Sequence, residues 1–360
     1  MKKRKINVKY LLLIFVSLFT LCLSSCSVSI SQNQMVEIID PVGAKVKVPK
    51  NPKKVACISR CSYDLLLGYG LFDNVYGAYK GTLTNPWVNE IYPESSKVKE
   101  LAYNPSVEDL LKDGVDLIFA PTKAIAESYR NAGLNAITIS LYGTPTFDNF
   151  IYKYSDIITT IWDSSIAKER ATKWKSDVES AINDVYEKIK ESNITEKKVF
   201  YVRGDKDKGI NYTDTIGSFT EYGYRVLGLN DYSKGLGDDK TAPSDEDIIK
   251  FNPDYIVCGG IYQNKNISLI KSNDKYKTLS AVQNNKIFNI PIGFTAFEQL
   301  SIATPIFFYD QANKIYPELF KYDIPKLLKE SLKYYFNYDI TDEKIGWMLH
   351  GFGPTGKSLY

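Results

Sequence analysis

From residue 55 onward, short apolar runs alternate with amphipathic stretches, a pattern that predicts strands followed by helices. The apolar runs predict strands at 55–59, 75–78, 117–120, 136–140, 198–203, 225–227, 255–258 and 286–290. The amphipathic stretches predict helices at 63–70, 106–113, 124–132, 147–162, 165–191, 218–222, 244–251 and 297–315. This β-then-α order is typical of an α/β fold with mostly parallel sheets and helices on both faces.

The segment 165–191 is the longest periodic stretch, contains neither proline nor glycine, and carries charges of both signs. Because the chain is too long for one ordinary core, we expect two α/β lobes joined by this single rigid helix. The predicted boundaries are 37–164 for the N-terminal lobe, 165–192 for the bridging helix, and 197–360 for the C-terminal lobe with its terminal helices. A rigid bridge predicts only a small closure of the lobes.

The N-terminus combines a basic stretch, Lys2 to Lys9, with an apolar run at 11–23. The run is shorter than the roughly 20 residues that span a bilayer, and its order is that of a secretory signal. It ends in Leu23-Ser24-Ser25-Cys26, which resembles a bacterial lipobox. That resemblance implies cleavage after residue 25, a lipid on Cys26, and a tether at 26–36. We therefore expect a lipid-anchored protein on the extracytoplasmic face of the cell membrane; a plain signal peptide and an uncleaved anchor helix are the alternatives.

Charge and residue usage exclude several function classes. Without the five basic residues of the leader, 40 basic and 42 acidic side chains remain, so no basic patch for a nucleic acid is expected. The one histidine, His350, is expected at the surface, which argues against histidine-rich zinc sites and a Ser-His-Asp triad. No nucleophile–base pair, phosphate loop or metal cluster points to an enzyme, and no repeats point to an adhesin.

Three cysteines remain after the leader and the lipobox: Cys57, Cys61 and Cys258. Cys57 and Cys61 lie four residues apart around the end of a predicted strand. They could form a disulfide, bind a soft metal or stay unpaired, and the unpaired, inert state is favoured over the other two.

Two segments echo one another across the predicted lobes. One begins Ser106-Val107-Glu108-Asp109 and the other Ser244-Asp245-Glu246-Asp247; in each, an apolar pair, a turn ending in aspartate and a strand follow. Serine at the N-cap and acidic residues in the first turn are favourable helix-start chemistry, which alone would explain the pattern.

Five motifs in order, behind the lipobox, resemble solute-binding proteins that serve ATP-binding cassette importers for siderophores, haem or cobalamin. They are 39–49 with 52–55, 68–77, the two serine–glutamate segments, 290–294 and 315–320. The resemblance implies two Rossmann-like lobes with the ligand between them. It also implies that Glu108 and Glu246, one per lobe, contact arginines of the permease; helix-start acids remain the alternative. We expect a monomer without a bound prosthetic group.

The cleft walls are expected at the carboxyl ends of the strands, where α/β sheets bind ligands. Arginine and lysine there could hold an anionic chelate or oxyanion, and aromatic rings could stack on an organic ligand. The candidate ligand-binding residues are Arg60, Tyr63, Lys80, Tyr142, Arg203, Tyr212, Ser218, Tyr262 and Phe294. A ferric siderophore or similar metal chelate is the expected ligand. Molybdate or tungstate, or a corrinoid, are the alternatives, and haem ranks lower because no cleft histidine is expected.

Overall fold

A hairpin precedes the two sheets in the computed structural model, which describes residues 34–139, 147–204, 207–235 and 241–360. Its strands are β1 (Met35–Ile39) and β2 (Lys45–Pro49), which pair antiparallel. The Asp40 side chain accepts the backbone N–H of Ala44 at 2.8 Å, and Gly43 takes a positive φ of 85° in the turn. The apolar runs that predict strands begin at residue 55, so neither strand of this hairpin is predicted from the sequence.

The N-terminal sheet is parallel, with the strand order β5-β4-β3-β6-β7. Its strands are β3 (Val55–Cys57), β4 (Val75–Tyr79), β5 (Lys99–Leu101), β6 (Leu117–Ala120) and β7 (Ala136–Thr138). The accompanying helices are α1 (Arg60–Gly68), α2 (Lys80–Leu83), α3 (Pro86–Ile91), α4 (Val107–Lys112), α5 (Lys123–Asn131) and α6 (Phe147–Ile161). Because helices cover both faces, strands such as β6 are apolar at every position and fully buried.

The long helix α7 (Ser165–Glu191) leads into a second parallel sheet, with the order β11-β10-β8-β9. Its strands are β8 (Lys197–Val202), β9 (Leu229–Asp231), β10 (Tyr255–Cys258) and β11 (Ile287–Asn289). The helices are α8 (Phe219–Val226), α9 (Asp245–Phe251), α10 (Gln263–Ser272), α11 (Ser280–Gln283), α12 (Thr304–Ile315), α13 (Ile324–Phe336) and α14 (Asp342–Leu349). Within the described ranges, no helix is both long and apolar enough to cross a membrane.

Helix α7 buries one continuous stripe against its neighbours, chiefly α12 and α6. The stripe repeats every three or four residues, the spacing of one helix face. Its members are Ala167, Ala171, Trp174, Val178, Ala181, Val185 and Ile189. At its start, the Ser164 side chain accepts the N–H of Ala167 at 3.2 Å. The charged opposite face explains why this helix was the clearest periodic signal in the sequence.

The prediction of an α/β fold with parallel sheets is confirmed, and β6, β10 and α7 have the predicted bounds. The strand predicted at 225–227 is wrong: helix α8 runs to Val226, and Gly228, with φ of 64°, ends the turn before β9. The helix predicted from 297 begins only at Thr304, because Pro305 lies in its first turn, where proline is tolerated. The lobe boundaries at 164, 192 and 197 stay predictions.

The lobes also contact one another directly, beyond the connection through α7. Asn85, the N-cap of α3, donates its side-chain amide to the carbonyl of Gly293 at 2.8 Å. Trp87 donates its indole N–H to the carbonyl of Phe352 at 2.8 Å. The backbone N–H of Ile302 donates to the Asp64 carboxylate at 2.7 Å, between α1 and the segment before α12. These contacts connect residues more than 200 positions apart.

Asp64 makes stability depend on pH. Its side chain is 2% exposed, and burial raises its pKa from 3.8 to about 7. Since the pKa is higher in the folded than in the unfolded state, the stabilisation is complete below pH 4 and is lost as pH rises through 7. We expect Asp64→Asn to remove about 2 kcal/mol of the difference in unfolding free energy between pH 5 and pH 7.5. Urea denaturation at both pH values measures it.

The exposed Asp73 provides the matched control for this measurement. Asp73→Asn should retain the pH dependence of the wild-type protein. An Asp64→Asn variant with an unchanged pH dependence would contradict the assignment.

Candidate ligand-binding site

A cavity of about 390 Å³ lies where the carboxyl ends of both parallel sheets meet. The N-terminal lobe contributes residues that follow β3, β4 and β5, and the C-terminal lobe contributes residues that follow β8, β10 and β11. The principal side chains are Arg60, Tyr79, Thr82 and Tyr103 from the first lobe, and Tyr201, Arg203, Asp214, Phe219, Phe294 and Glu298 from the second. This is the position and size of a small-molecule site in an α/β protein.

The N-terminal wall presents a guanidinium on an aromatic support. Arg60 begins α1, and its Cζ lies 5.4 Å from the centroid of the Tyr79 ring. The Tyr79 and Tyr103 rings meet edge to face at 5.6 Å. Arg60 is exposed and forms no ion pair with another described residue, so its charge is available to a ligand. Nearby, the buried Thr82 hydroxyl finds no hydrogen-bond partner in the described part of the chain.

The C-terminal wall holds its arginine differently. The Arg203 guanidinium lies 5.1 Å from the centroid of the Tyr212 ring, and its Nη1 lies 3.3 Å from Asp214 Oδ1. Asp214 is buried and accepts the Thr220 hydroxyl at 2.6 Å. The Arg203 charge is therefore balanced within the protein, unlike that of Arg60.

Glu298 lines the same wall and was not predicted from the sequence. Its side chain is 5% exposed; Oε1 accepts the Gly260 N–H at 2.7 Å and the Tyr201 hydroxyl at 3.4 Å. Its Oε2 has no hydrogen-bond partner among the described residues. Burial raises the pKa of this carboxyl to about 7. The sequence does contain a sign of this residue, since it is an acidic position inside the apolar stretch 294–300. Because 297–315 is predicted to be helical, Glu298 is not predicted as a residue of a binding loop.

Three of the predicted ligand residues line the cavity: Arg60, Arg203 and Phe294. Tyr142 lies outside the described residues. Tyr63 is fully buried in α1, where its hydroxyl donates to Ser95 and its ring stacks on Phe294. Tyr63 therefore lies outside the cavity lining, since a residue one turn into the helix points to the core.

Four further candidates lie outside the cavity lining. Lys80 is exposed and pairs with Glu100 at 3.1 Å. Tyr212 supports Arg203. The Ser218 hydroxyl caps α8 by accepting the Glu221 N–H at 3.2 Å, and the residue is fully buried. Tyr262 packs its ring against Tyr360 at 5.2 Å, beside Leu359, which does line the cavity.

The three cysteines in the described ranges, Cys57, Cys61 and Cys258, are buried and form no disulfide with one another. Burial raises the pKa of Cys57 and of Cys61 to about 12, so both remain protonated thiols with little nucleophilic or metal-binding character. His350 is exposed at the end of α14, as predicted. Among the described residues, no group of three or more histidine, cysteine or acidic side chains could hold a metal ion.

Glu108 and Glu246 lie on the surface, in the first turns of α4 and α9. Ser106 caps α4 by accepting the Asp109 N–H, and Ser244 forms a complete capping box with Asp247. Neither glutamate forms an ion pair with another described residue. Each lobe therefore presents one unpaired carboxylate on a rigidly capped helix start. Cys26, the predicted lipid site, lies outside the described residues.

Comparison with known proteins identifies the family. The sequence model of the family described as "Periplasmic binding protein" matches residues 55–292. An uncharacterised ABC transporter substrate-binding lipoprotein of Bacillus subtilis, YvrC, is 24% identical over 79% of this chain and 87% of its own length.

MolA and CeuE are two of the solved structures that share the fold. The molybdate periplasmic binding protein MolA of Haemophilus influenzae, bound to molybdate, superposes with a TM-score of 0.71 at 13% identity, over 85% of this chain and 99% of its own. CeuE of Helicobacter pylori, in a Ni-His complex, superposes with a TM-score of 0.67 at 16% identity, over 88% of this chain and 99% of its own. With the family match extending over more than half of its length, the chain belongs to the periplasmic binding protein family.

Proposed function

We propose that this protein is the substrate-binding component of an ABC importer, and that it carries a ferric siderophore or similar metal chelate between its two lobes. The observation that carries the proposal is the cavity of about 390 Å³, which both lobes line with aromatic rings and a guanidinium each. A polar organic ligand with several oxygen donors matches such a lining, because rings cover its apolar parts and guanidiniums bind its oxygens.

The partner of the loaded protein would be the importer's permease. Glu108 and Glu246 are exposed, unpaired with described residues, and held on capped helices of different lobes. Two carboxylates at separate points would fix the orientation of docking as well as its position. A lipid on Cys26 would hold the protein at the extracytoplasmic face of the membrane. The Bacillus subtilis relative, by its name also a substrate-binding lipoprotein, supports this proposal.

Molybdate or tungstate is the second candidate ligand, since Arg60 and Arg203 both reach the cavity and the Haemophilus influenzae neighbour binds molybdate. Two features weigh against a bare dianion. The Arg203 charge is balanced by Asp214, and the buried Glu298 carboxyl lies in the same wall. Placing a dianion beside two carboxyl groups is unfavourable unless one is protonated.

The ligand class is tested by titrating the protein with ferric hydroxamate, ferric catecholate, molybdate, tungstate and cobalamin while following intrinsic fluorescence. Quenching by the ferric chelates alone is expected. A response to the oxyanions alone would replace the chelate by the second candidate. No change in fluorescence with any of the five ligands would contradict the transport proposal itself.

Arg60 should contribute directly to binding of the chelate. We expect Arg60→Gln to weaken binding about tenfold or more, because a hydrogen bond to a charged group contributes about 1.5–3 kcal/mol. Lys80→Gln is the matched control: it removes the same charge near the cavity from a residue outside its lining. Equal losses of affinity in the two variants would mean that Arg60 acts only through the long-range electrostatic field of its charge.

A further inference from the structure

We infer that Glu298 recognises a protonated amine on the ligand, so that the cleft selects a metal chelate that carries an ammonium group. This inference rests on the proposed function and specifies the substrate class of the same site.

The first support is the way in which the protein holds the Glu298 carboxyl. One oxygen, Oε1, is fixed by the Gly260 N–H at 2.7 Å, whereas Oε2 has no partner among the described residues, although the side chain is 95% buried and lines the cavity. A buried carboxyl oxygen without a partner is costly, and proteins rarely leave one unless a ligand or water completes it.

The second support is the loop that surrounds this carboxyl. A Cβ atom at Gly259 would lie 2.5 Å from Glu298 Oε1 and 2.7 Å from the Tyr201 hydroxyl, so any larger residue would displace the group. Gly260 has a positive φ of 67°, which aims its N–H at the carboxyl. The backbone is thus shaped around Glu298, as expected of a positioned recognition group.

The third support is the distribution of charge across the cavity. Among the residues that the structure describes, the titratable groups that influence the Glu298 carboxyl are Tyr201 from β8, Tyr224 from α8 and Asp214; none of these is a cation. Arg203 is paired with Asp214. The opposite wall presents Arg60, which has no carboxylate partner among the described residues. A ligand with electron-rich oxygens at one end and a cation at the other would complement both walls.

Binding of such a ligand should release a proton. Burial raises the pKa of Glu298 to about 7, so the empty site is partly protonated at neutral pH. The ammonium keeps its own proton, since an unperturbed amine has a pKa of about 10. It binds the ionised carboxylate, and the Glu298 proton passes to solvent. Between pH 6 and pH 8 the ionised fraction rises from about one tenth to about nine tenths, so affinity should rise about tenfold.

The experiment uses two probes that differ at one group: ferrioxamine B, a ferric trihydroxamate with a pendant primary amine, and its N-acetyl derivative. Affinities of the full chain are measured at pH 6 and pH 8. The amine chelate should bind about tenfold tighter at pH 8 than at pH 6, and tighter than the acetylated chelate at pH 8. Glu298→Gln should make both probes bind alike at both pH values. Asp231→Asn removes a buried carboxyl outside the cavity lining and should behave like the wild-type protein.

Two results would overturn the inference while leaving a chelate importer in place. One is equal affinity of the wild-type protein for both probes; the other is affinity for the amine chelate that falls with rising pH, as for a protonated Glu298 donating to an anion. These wild-type measurements stand even where Glu298→Gln fails to fold. Binding of neither probe, together with no response to any ferric chelate, would overturn the proposed ligand class and this inference with it.

Discussion

Replacing Glu108 and Glu246 together by lysine is expected to abolish ligand uptake by cells and to leave ligand affinity unchanged. Both carboxylates are exposed, lie on different lobes and line no part of the cavity. If permease arginines meet them, reversal converts two charge-assisted contacts into two repulsions, which cost far more than the loss of the contacts alone. Uptake of a radiolabelled chelate and affinity of the purified protein are the two measurements.

The matched control for this double variant is Glu179→Lys with Glu191→Lys, because both residues are exposed and lie on α7. The control changes net charge equally and should transport normally. Lysine in the first turn of a helix also opposes the helix dipole by about 0.3–1 kcal/mol, so thermal unfolding must show that both variants remain folded. Loss of affinity with intact docking would instead assign the glutamates to the ligand site.

Trp174→Ala should lower the free energy of unfolding by about 3–5 kcal/mol, the range for removing a fully buried aromatic side chain. Trp174 lies at the centre of the apolar stripe of α7, and its indole N–H donates to the Ser301 carbonyl at 3.0 Å. It therefore fixes the bridging helix to the segment that carries Glu298. Urea denaturation followed by far-UV circular dichroism measures the loss.

Trp174→Phe separates packing from the hydrogen bond. The smaller ring should retain most of the buried area, and the Ser301 carbonyl keeps the Thr304 N–H as a partner at 3.1 Å. We therefore expect a loss of about 0.5–1.5 kcal/mol, mainly the net contribution of the lost hydrogen bond. An alanine variant as stable as the phenylalanine variant would show that the ring itself contributes little. The bridging helix would then be held elsewhere along its stripe.

Most of the fold follows from pattern, because buried parallel strands are continuous apolar runs and α7 repeats over 27 residues. The two wrongly placed elements come from single residues that end or delay a helix. Gly228 closes the turn after α8 in a left-handed conformation, so 225 and 226 are helical and 227 is the C-cap. Pro305 sets the start of α12, leaving 297–303 as the irregular segment that bears Glu298. Hydrophobicity alone does not distinguish that segment from a helix.

The site was only partly predictable. Arg60 lies three residues after β3 and Arg203 directly follows β8, so strand ends alone place them at the cavity. Tyr63 follows the same strand as Arg60, but α1 begins at Arg60, and the helical turn directs Tyr63 into the core. Glu298 was not predicted as a site residue, because its role depends on Gly260 and Tyr201, which lie about 40 and 100 positions away. Such pairings are set by topology, which the local pattern does not contain.

The position of the last residues has a practical consequence for anyone who purifies this protein. Leu359 lines the cavity, and the Tyr360 ring rests on Tyr262 at its edge. An affinity tag or fluorescent fusion joined at Tyr360 would place its linker at the mouth of the site. A polyhistidine tail there would add metal-binding groups beside the cavity proposed to hold a metal chelate. Binding data are therefore best collected on protein whose label has been cleaved or moved to an exposed helix.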